Sequence, residues 1–318
     1  MEGMREIDPN LVAEFEAGVG LPLKTGVALS AYSSFRIGGR ADYFFVADSE
    51  ARLTAAVDFA RTRSLPFFLI GGGYNLLFDD EGFRGLILLN RFRELEAEAD
   101  GRVAASSGTP LREVIRLCLD QGIAGLEFLA GIPGTVGGAV YGNAGAFGQA
   151  VGDVLESARI LTGDGRVLSV GAGYFEFDYR WSRLKRTPDI LLNARLSGRP
   201  GDRAEIQSRV SDNLSCRETR HPCRGTACAG SYFKNPPGPS GEKIAAGALL
   251  ERVGAKTRRR GGAAVYEGHA NFIINTGGAT SRDVRRLAEE LKQAVERETG
   301  IRLEEEVIFL PADPPRPE

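Results

Sequence analysis

The stretch AGIPGTVGGAVYGNAGAFG, Ala130 to Gly148, holds seven glycines in nineteen residues and no charged side chain. Glycine weakens helices and strands, so such a cluster needs an offsetting gain, here main chain laid directly against a large flat or polyanionic ligand. Thr135 and Asn143 are its only good side-chain hydrogen-bonding groups. A second run, GGGYNLL at Gly71–Leu77, follows an apolar strand, where backbone N–H groups suit a phosphate. It is neither the dinucleotide fingerprint nor a Walker loop, so nicotinamide-fold and nucleoside triphosphate readings lose weight. Alone, this second run reads first as a plain tight turn. Two such loops, each in its own α/β unit, suggest one long ligand bridging both.

Other chemistry-bearing residues are sparse. There are two histidines, His221 and His269, too few for most schemes built on a histidine dyad. The cysteines Cys118, Cys216, Cys223 and Cys228 form no C-x-x-C pair, and their spacing around His221 fits no familiar zinc pattern. No metal site is expected.

Positioning these loops requires layered elements. A short amphipathic helix is expected at about 10–17. A strand at Asp42–Val46, a Ser49-capped helix, the strand FFLI and the strand LILL at 86–89 then give an α/β unit with a partly parallel sheet. A second unit begins near Arg91: a strand, then a helix with Thr109 as cap, Pro110 at its first position and Gly122 just past its end. ARILTGDGRVLSV reads as a hairpin turning at Asp164-Gly165, and ILLNARL as a further strand. A boundary is expected near residue 200. Beyond it come a polar helix at about 202–216, a strand HANFIIN, a Ser281-capped helix closed by Gly300, and a strand IRLEEEVIFL. Strand alternation puts Glu304 and Glu306 on one face and does not separate them. The proline-rich end, 312–318, is expected to be disordered.

Composition sets the outer limits. With 318 residues, 42% apolar and 26% charged, the chain has the make-up of a multidomain globular protein. A net charge of −2 supplies no basic field for nucleic acid or a membrane surface. No apolar run reaches spanning length, and MEGMREIDPN lacks an export pattern, so a cytoplasmic protein is expected, a monomer without nucleic-acid or membrane partners.

Five motifs carry a resemblance: SSFRIGG at 33–39, GGGYNLL at 71–77, GLEFLAGIPGTVGGAVYGNAGA at 125–146, GSYFKNPPG at 230–238 and GHANFIINTGGAT at 268–280. In order and spacing, over about 27–310, they resemble the UDP-N-acetylenolpyruvoylglucosamine reductases, in the shorter form of that family. The resemblance implies α/β and α+β architecture: a two-subdomain FAD-binding module of the vanillyl-alcohol-oxidase type plus a C-terminal α+β substrate domain. The expected divisions are a helical segment at 1–26, FAD-binding subdomains at 27–90 and 91–200, and a substrate domain at 201–311. Non-covalent FAD would be held by Arg36, Gly71, Gly72, Gly73, Tyr74, Asn75, Leu76, Gly131, Pro133, Gly134, Thr135, Gly137, Gly138, Asn143 and Gly145.

The reaction implied takes hydride from NADPH, by way of the flavin, to the terminal carbon of an enolpyruvyl group on UDP-N-acetylglucosamine, giving UDP-N-acetylmuramate for peptidoglycan. The motif matches place Arg180 on the substrate carboxylate, Ser231 as proton donor, Glu306 as the third catalytic member, and Tyr179, Lys234 and Asn235 at the substrate. Arg252, Lys256, Arg258, Arg259 and Arg260 would either attract the diphosphate or form a solvated charged loop. Tyr74 stands where serine is usual, and HPCRGTAC and PSGEKIAAGALLERVG also depart from the pattern. The rival readings are a flavin-dependent alcohol or sugar oxidase on the same scaffold, and a sensor that performs no chemistry.

Overall fold

Asp8 starts the first helix, α1 (Pro9–Val19): its carboxylate accepts the Asn10 N–H, and Gly20 closes the helix with a left-handed φ of 79°. The structure, a computed structural model, describes residues 7–223, 225–238 and 240–314. Strand β1 (Lys24–Ala28), β2 (Arg40–Ala47), α2 (Glu50–Thr62), β3 (Phe67–Ile70), β4 (Leu76–Phe78) and β5 (Phe83–Asn90) follow. β1, β2, β5 and β3 form one sheet in that order, with β2, β5 and β3 parallel. β2 and β5 are almost wholly buried, as parallel strands covered on both faces must be. One face packs on α1 and α2 through Phe15, Phe45 and Phe59; the other buries Phe44, Phe78 and Phe83. The N-terminal helix is therefore part of the first unit's core, and Ser49 caps α2 as its position suggests.

The second unit contains β6 (Leu95–Ala97), β7 (Val103–Ser106), α3 (Leu111–Gln121), the two-residue strand β8 (Ile123–Ala124) and α4 (Val136–Tyr141). A tight pair, β9 (Gly145–Ala146) and β10 (Gln149–Ala150), precedes β11 (Leu155–Leu161), β12 (Val167–Gly171), β13 (Ile190–Leu196) and β14 (Arg199–Pro200). Five of these strands make an antiparallel sheet in the order β12-β11-β13-β7-β6. The expected Thr109 cap is corrected. Pro110 occupies the N-cap of α3, and the Thr109 hydroxyl instead donates to the Glu94 carbonyl at 3.0 Å.

Helix α5 (Arg203–Arg220) corrects the expected boundary at 200. Its apolar stripe, Ile206 and Val210 with Leu214 beside them, packs into the core of the second unit. Asn213 Nδ2 donates to the Glu127 carbonyl at 2.9 Å, and β14 pairs with β8. The helix is mostly polar, so its narrow stripe is settled by whichever unit offers a matching face.

The third unit holds α6 (Ala246–Arg252), β15 (Arg259–Arg260), β16 (Ala263–Val265), β17 (Ile273–Asn275), α7 (Ser281–Thr299) and β18 (Ile308–Leu310). Val284, Leu287, Leu291 and Val295 of α7 share its buried face. The cap of α7 is Thr280, in a reciprocal box with Asp283, rather than Ser281. Ser281 is recruited elsewhere: its N–H and hydroxyl both reach the Asp80 carboxylate of the first unit, at 2.7 and 2.9 Å. The expected strands 269–275 and 301–310 shorten to β17 and β18. β18 runs parallel to β4, while residues before it are extended and bridge Phe233 through Glu305. Ala312 is buried and its carbonyl accepts the Arg84 N–H at 2.7 Å, so the chain stays docked there; residues 315–318 of the expected disordered tail lie outside the described residues.

Candidate active site

Asn143, near the end of the glycine stretch, adopts a left-handed φ of 43° and uses both ends of its amide internally. Nδ2 donates to the Asp178 carbonyl and Oδ1 accepts the Gly152 N–H, each at 2.9 Å. This fixes the tight turn 178–181, in which Asp178 and Trp181 exchange backbone hydrogen bonds. Arg180 sits within that turn with φ 55°, a region that non-glycine residues occupy rarely and at a cost in strain. Its Nη1 donates to the Gly145 carbonyl at 3.3 Å, and its carbonyl accepts Lys185 Nζ at 2.7 Å.

Across from this turn stands Glu306. Its N–H donates to the Tyr232 carbonyl at 2.8 Å, its carbonyl accepts Asn75 Nδ2 at 3.0 Å, and the Ile308 N–H returns to the Asn75 carbonyl. Arg180 Nε lies 2.7 Å from Glu306 Oε1, yet its N–H is not aligned on an acceptor. The guanidinium is thus in ion contact without a formed hydrogen bond there. Burial pushes the Glu306 carboxyl above the ordinary range, against the opposing pull of Arg180, Lys185 and Lys234. The two carboxylates that alternation left open are separated by their environments. Glu304 is 72% exposed and pairs with Lys234 at 3.1 Å, whereas Glu306 is 19% exposed and faces Arg180.

Ser231 precedes the residue that pairs with Glu306. Gly230 before it takes φ 78°, and the Tyr232 and Phe233 N–H groups are both tied to Asn271. The main chain is pinned, while the half-buried Ser231 hydroxyl makes no hydrogen bond among the described residues. Tyr179 and Asn235 come together as well: the Asn235 N–H donates to the Tyr179 hydroxyl at 3.2 Å, Asn235 Oδ1 accepts the Ala246 N–H at 3.0 Å, and Lys243 Nζ lies 4.6 Å from the Tyr179 ring centre. Arg180, Ser231, Glu306, Tyr179, Lys234 and Asn235 therefore belong to one neighbourhood.

The two glycine loops meet. A Cβ on Gly71 would lie 2.5 Å from Thr135 Oγ1, and one on Gly72 would lie 3.6 Å from Gly134 Cα. Gly73 is demanded by packing: with φ 68°, a Cβ would strike the Tyr32 carbonyl at 1.9 Å. Gly131 is packed against Leu214 and Arg217 of α5, Gly137 against Ser107, and Gly145 against Gln149, so those three answer to protein neighbours. Gly134 and Gly138 have nothing closer than 3.8 Å and present bare main chain. The polar side chains are committed internally: Thr135 caps α4, Asn75 holds Glu306, and Arg36 (φ 55°) reaches the Gly225 carbonyl. Pro133 is exposed, Leu76 is buried in β4, and the Tyr74 ring folds over Gly72.

What remains for a ligand is backbone. Among the described residues the N–H groups of Gly72, Gly73, Tyr74, Asn75, Gly134 and Thr135 have no protein acceptor. Beside them lies a cavity of about 180 Å³ lined by Ser33, Ser34, Gly71, Gly72, Tyr74 and Arg91. A row of free donors with one guanidinium nearby suits a diphosphate, so the residues present fit FAD. Arg91 was missed from sequence; its signal was a basic residue directly after the buried strand β5, on the side where α/β sheets bind ligands.

Three cations of the basic cluster are ion-paired within their own domain, Lys256 with Glu251, Arg252 with Glu298 and Arg260 with Glu290, and Arg258 donates to the Val253 carbonyl. No group of metal-ligating side chains occurs among the described residues, and no described helix is long and apolar enough to cross a membrane.

Comparison with known proteins agrees with this geometry. A family model described as an FAD binding domain matches residues 41–171, and the UDP-N-acetylenolpyruvoylglucosamine reductase C-terminal domain matches 221–310. The reductase of Geobacter metallireducens is 41% identical over 280 residues, 88% of this chain and 91% of its own length. That of Moorella thermoacetica is 40% identical over 298 residues, covering 93% and 96%. In structure, the reductase of Thermus caldophilus superposes with a TM-score of 0.75 at 31% identity, covering 90% of this chain and 98% of its own. The fold is thus the two-subdomain FAD-binding module with a C-terminal α+β domain, and the protein is an FAD-dependent oxidoreductase of peptidoglycan precursor synthesis. The chain belongs to the UDP-N-acetylenolpyruvoylglucosamine reductase family.

Proposed function

We propose that the protein reduces the enolpyruvyl ether of UDP-N-acetylglucosamine enolpyruvate to UDP-N-acetylmuramate, with NADPH as electron source and Ser231 as proton donor. The observation that carries this reading is the contact between Arg180 and Glu306, made across two units, with the Glu306 N–H bonded to the carbonyl of Tyr232, the residue after Ser231. When bound, FAD supplies a two-electron carrier between the nicotinamide and the terminal carbon of the substrate.

The chain's own residues do the rest. Arg180 binds the substrate carboxylate with its guanidinium and keeps its charge as negative charge develops beside it. As that carboxylate takes Arg180, Glu306 loses its counter-charge. Its already raised pKa then favours the protonated form, which donates a hydrogen bond to the enolate-like group. Ser231 passes its proton to the carbon bearing the carboxylate and recovers one from solvent. A neutral hydroxyl serves because an enolate carbon is basic enough to take it. Tyr179, Lys234 and Asn235 flank the sugar nucleotide, Lys234 and Lys243 offering cations to its diphosphate.

The anionic UDP-sugar and NADPH are retained inside the cell by their charge, which supports a cytoplasmic enzyme. The test uses purified protein. It should show a flavin spectrum and consume NADPH when the enolpyruvyl substrate is added, and Arg180→Met should retain the flavin while losing turnover. An Arg180→Met protein with the parent rate refutes the reading.

A further inference from the structure

We propose that Lys185 is a positioning residue for this reduction: it holds Arg180 in its left-handed turn and lends positive charge to the Glu306 side of the site. The inference rests on the role given above to Arg180 and Glu306.

Lys185 ends the short turn Arg183–Lys185, five residues after Arg180. Its ammonium donates to the Arg180 carbonyl at 2.7 Å and lies 5.5 Å from the Tyr141 ring centre. The side chain is half-buried, and among the described residues no carboxylate pairs with it directly. Such a placement is unfavourable by itself. Burial lowers the Lys185 pKa, the Lys234 and Arg180 cations lower it further, and only Glu306 raises it. Stability alone would favour an apolar residue against Tyr141. The bond to a carbonyl whose residue has φ 55° explains what the ammonium does there. Without that donor, the turn 178–181 depends on Asn143 and on the Asp178–Trp181 exchange.

The electrostatic half follows from the same neighbourhood. The charged groups facing Glu306 are Arg180 and Lys185 of the second unit and Lys234 of the third; Arg217 of α5 is near enough to Arg180 for the two cations to repel. Once the substrate occupies Arg180, Lys185 and Lys234 are what restrain Glu306 from keeping its proton at every pH.

Two variants separate the two effects. Lys185→Met removes donor and charge; Lys185→Gln keeps an N–H donor and removes only charge. Each is assayed for kcat and for kcat/KM against pH, with the flavin spectrum and thermal midpoint as controls. In Lys185→Met, kcat should fall by about tenfold to a hundredfold, the effect of a misplaced reacting group. The basic limb of kcat/KM should move to higher pH, because Glu306 keeps its proton longer. Lys185→Gln should recover most of kcat and still show the moved limb. If Lys185→Met does not fold or bind FAD, the limb of Lys185→Gln decides. Parent kcat and parent pH profile in the folded variants overturn the inference. If Arg180→Met is inactive in the same series, that failure touches Lys185 alone; if Arg180→Met is fully active, the underlying reading fails instead.

Discussion

Asn75 Nδ2 donates to the main-chain carbonyl of Glu306 at 3.0 Å, so the loop that borders the cofactor cavity also fixes the carboxylate that faces Arg180. One asparagine thereby joins the first unit to the third. Replacing it with alanine leaves the half-buried Glu306 carbonyl unpaired, which costs about 1–3 kcal/mol. Asn75→Ala should lower the denaturant midpoint accordingly and reduce kcat by about tenfold with FAD still bound. Parent kcat in the flavin-loaded variant would show that this tie does not position Glu306.

Asp80 spans a second junction between the same units. Its carboxylate accepts the Ser281 N–H, the Ser281 hydroxyl and the Arg282 N–H at the start of α7. Negative charge and an accepted N–H at a helix start are each stabilising. Asp80→Ala should destabilise the protein by about 1–2 kcal/mol in chemical denaturation, and Asp80→Asn by less. Turnover at low temperature should be nearly unchanged, because Asp80 touches the helix end rather than the site.

Glu306 predicts a pH dependence of stability. Burial raises its folded-state pKa above the ordinary carboxylate value, so it favours the folded state fully while protonated, below the unfolded pKa. That contribution is lost as pH rises through the folded pKa. Glu306→Gln, neutral throughout, removes this dependence. The stability difference between variant and parent should move in the variant's favour as pH rises from about 4 to 8. A difference that stays flat with pH, followed by denaturant titration at several pH values, would contradict the raised pKa.

The sequence is most legible where local pattern and tertiary demand coincide. Helix α7 shows a 3.6-residue apolar repeat, and Val284, Leu287, Leu291 and Val295 are its buried face. The strands β2 and β5 read as unbroken apolar runs because both faces are covered. Failures occur where a distant partner decides. Thr109 and Ser281 are good helix-cap residues, but Glu94 and Asp80 claim their hydroxyls and the caps pass to Pro110 and Thr280. The mostly polar α5 gave no local sign of which unit would receive its stripe.

The site was legible in outline through its motifs, and its division of labour was not. Gly73 and Gly131 share motifs with Gly72 and Gly134, yet the former pair answers to Tyr32 and α5, while Gly134 presents bare main chain. Lys185 carried no signal at all, since a lysine in RWSRLKR reads as a solvated face until the turn at Arg180 is seen.

The central claim is tested most directly by rapid mixing of Ser231→Ala. Its flavin should be bleached by NADPH at the parent rate, and the subsequent return of colour on adding UDP-N-acetylglucosamine enolpyruvate should slow by about 10²–10⁴-fold. Return of colour at the parent rate would contradict the account, since the Ser231 hydroxyl would then have no part in delivering the proton.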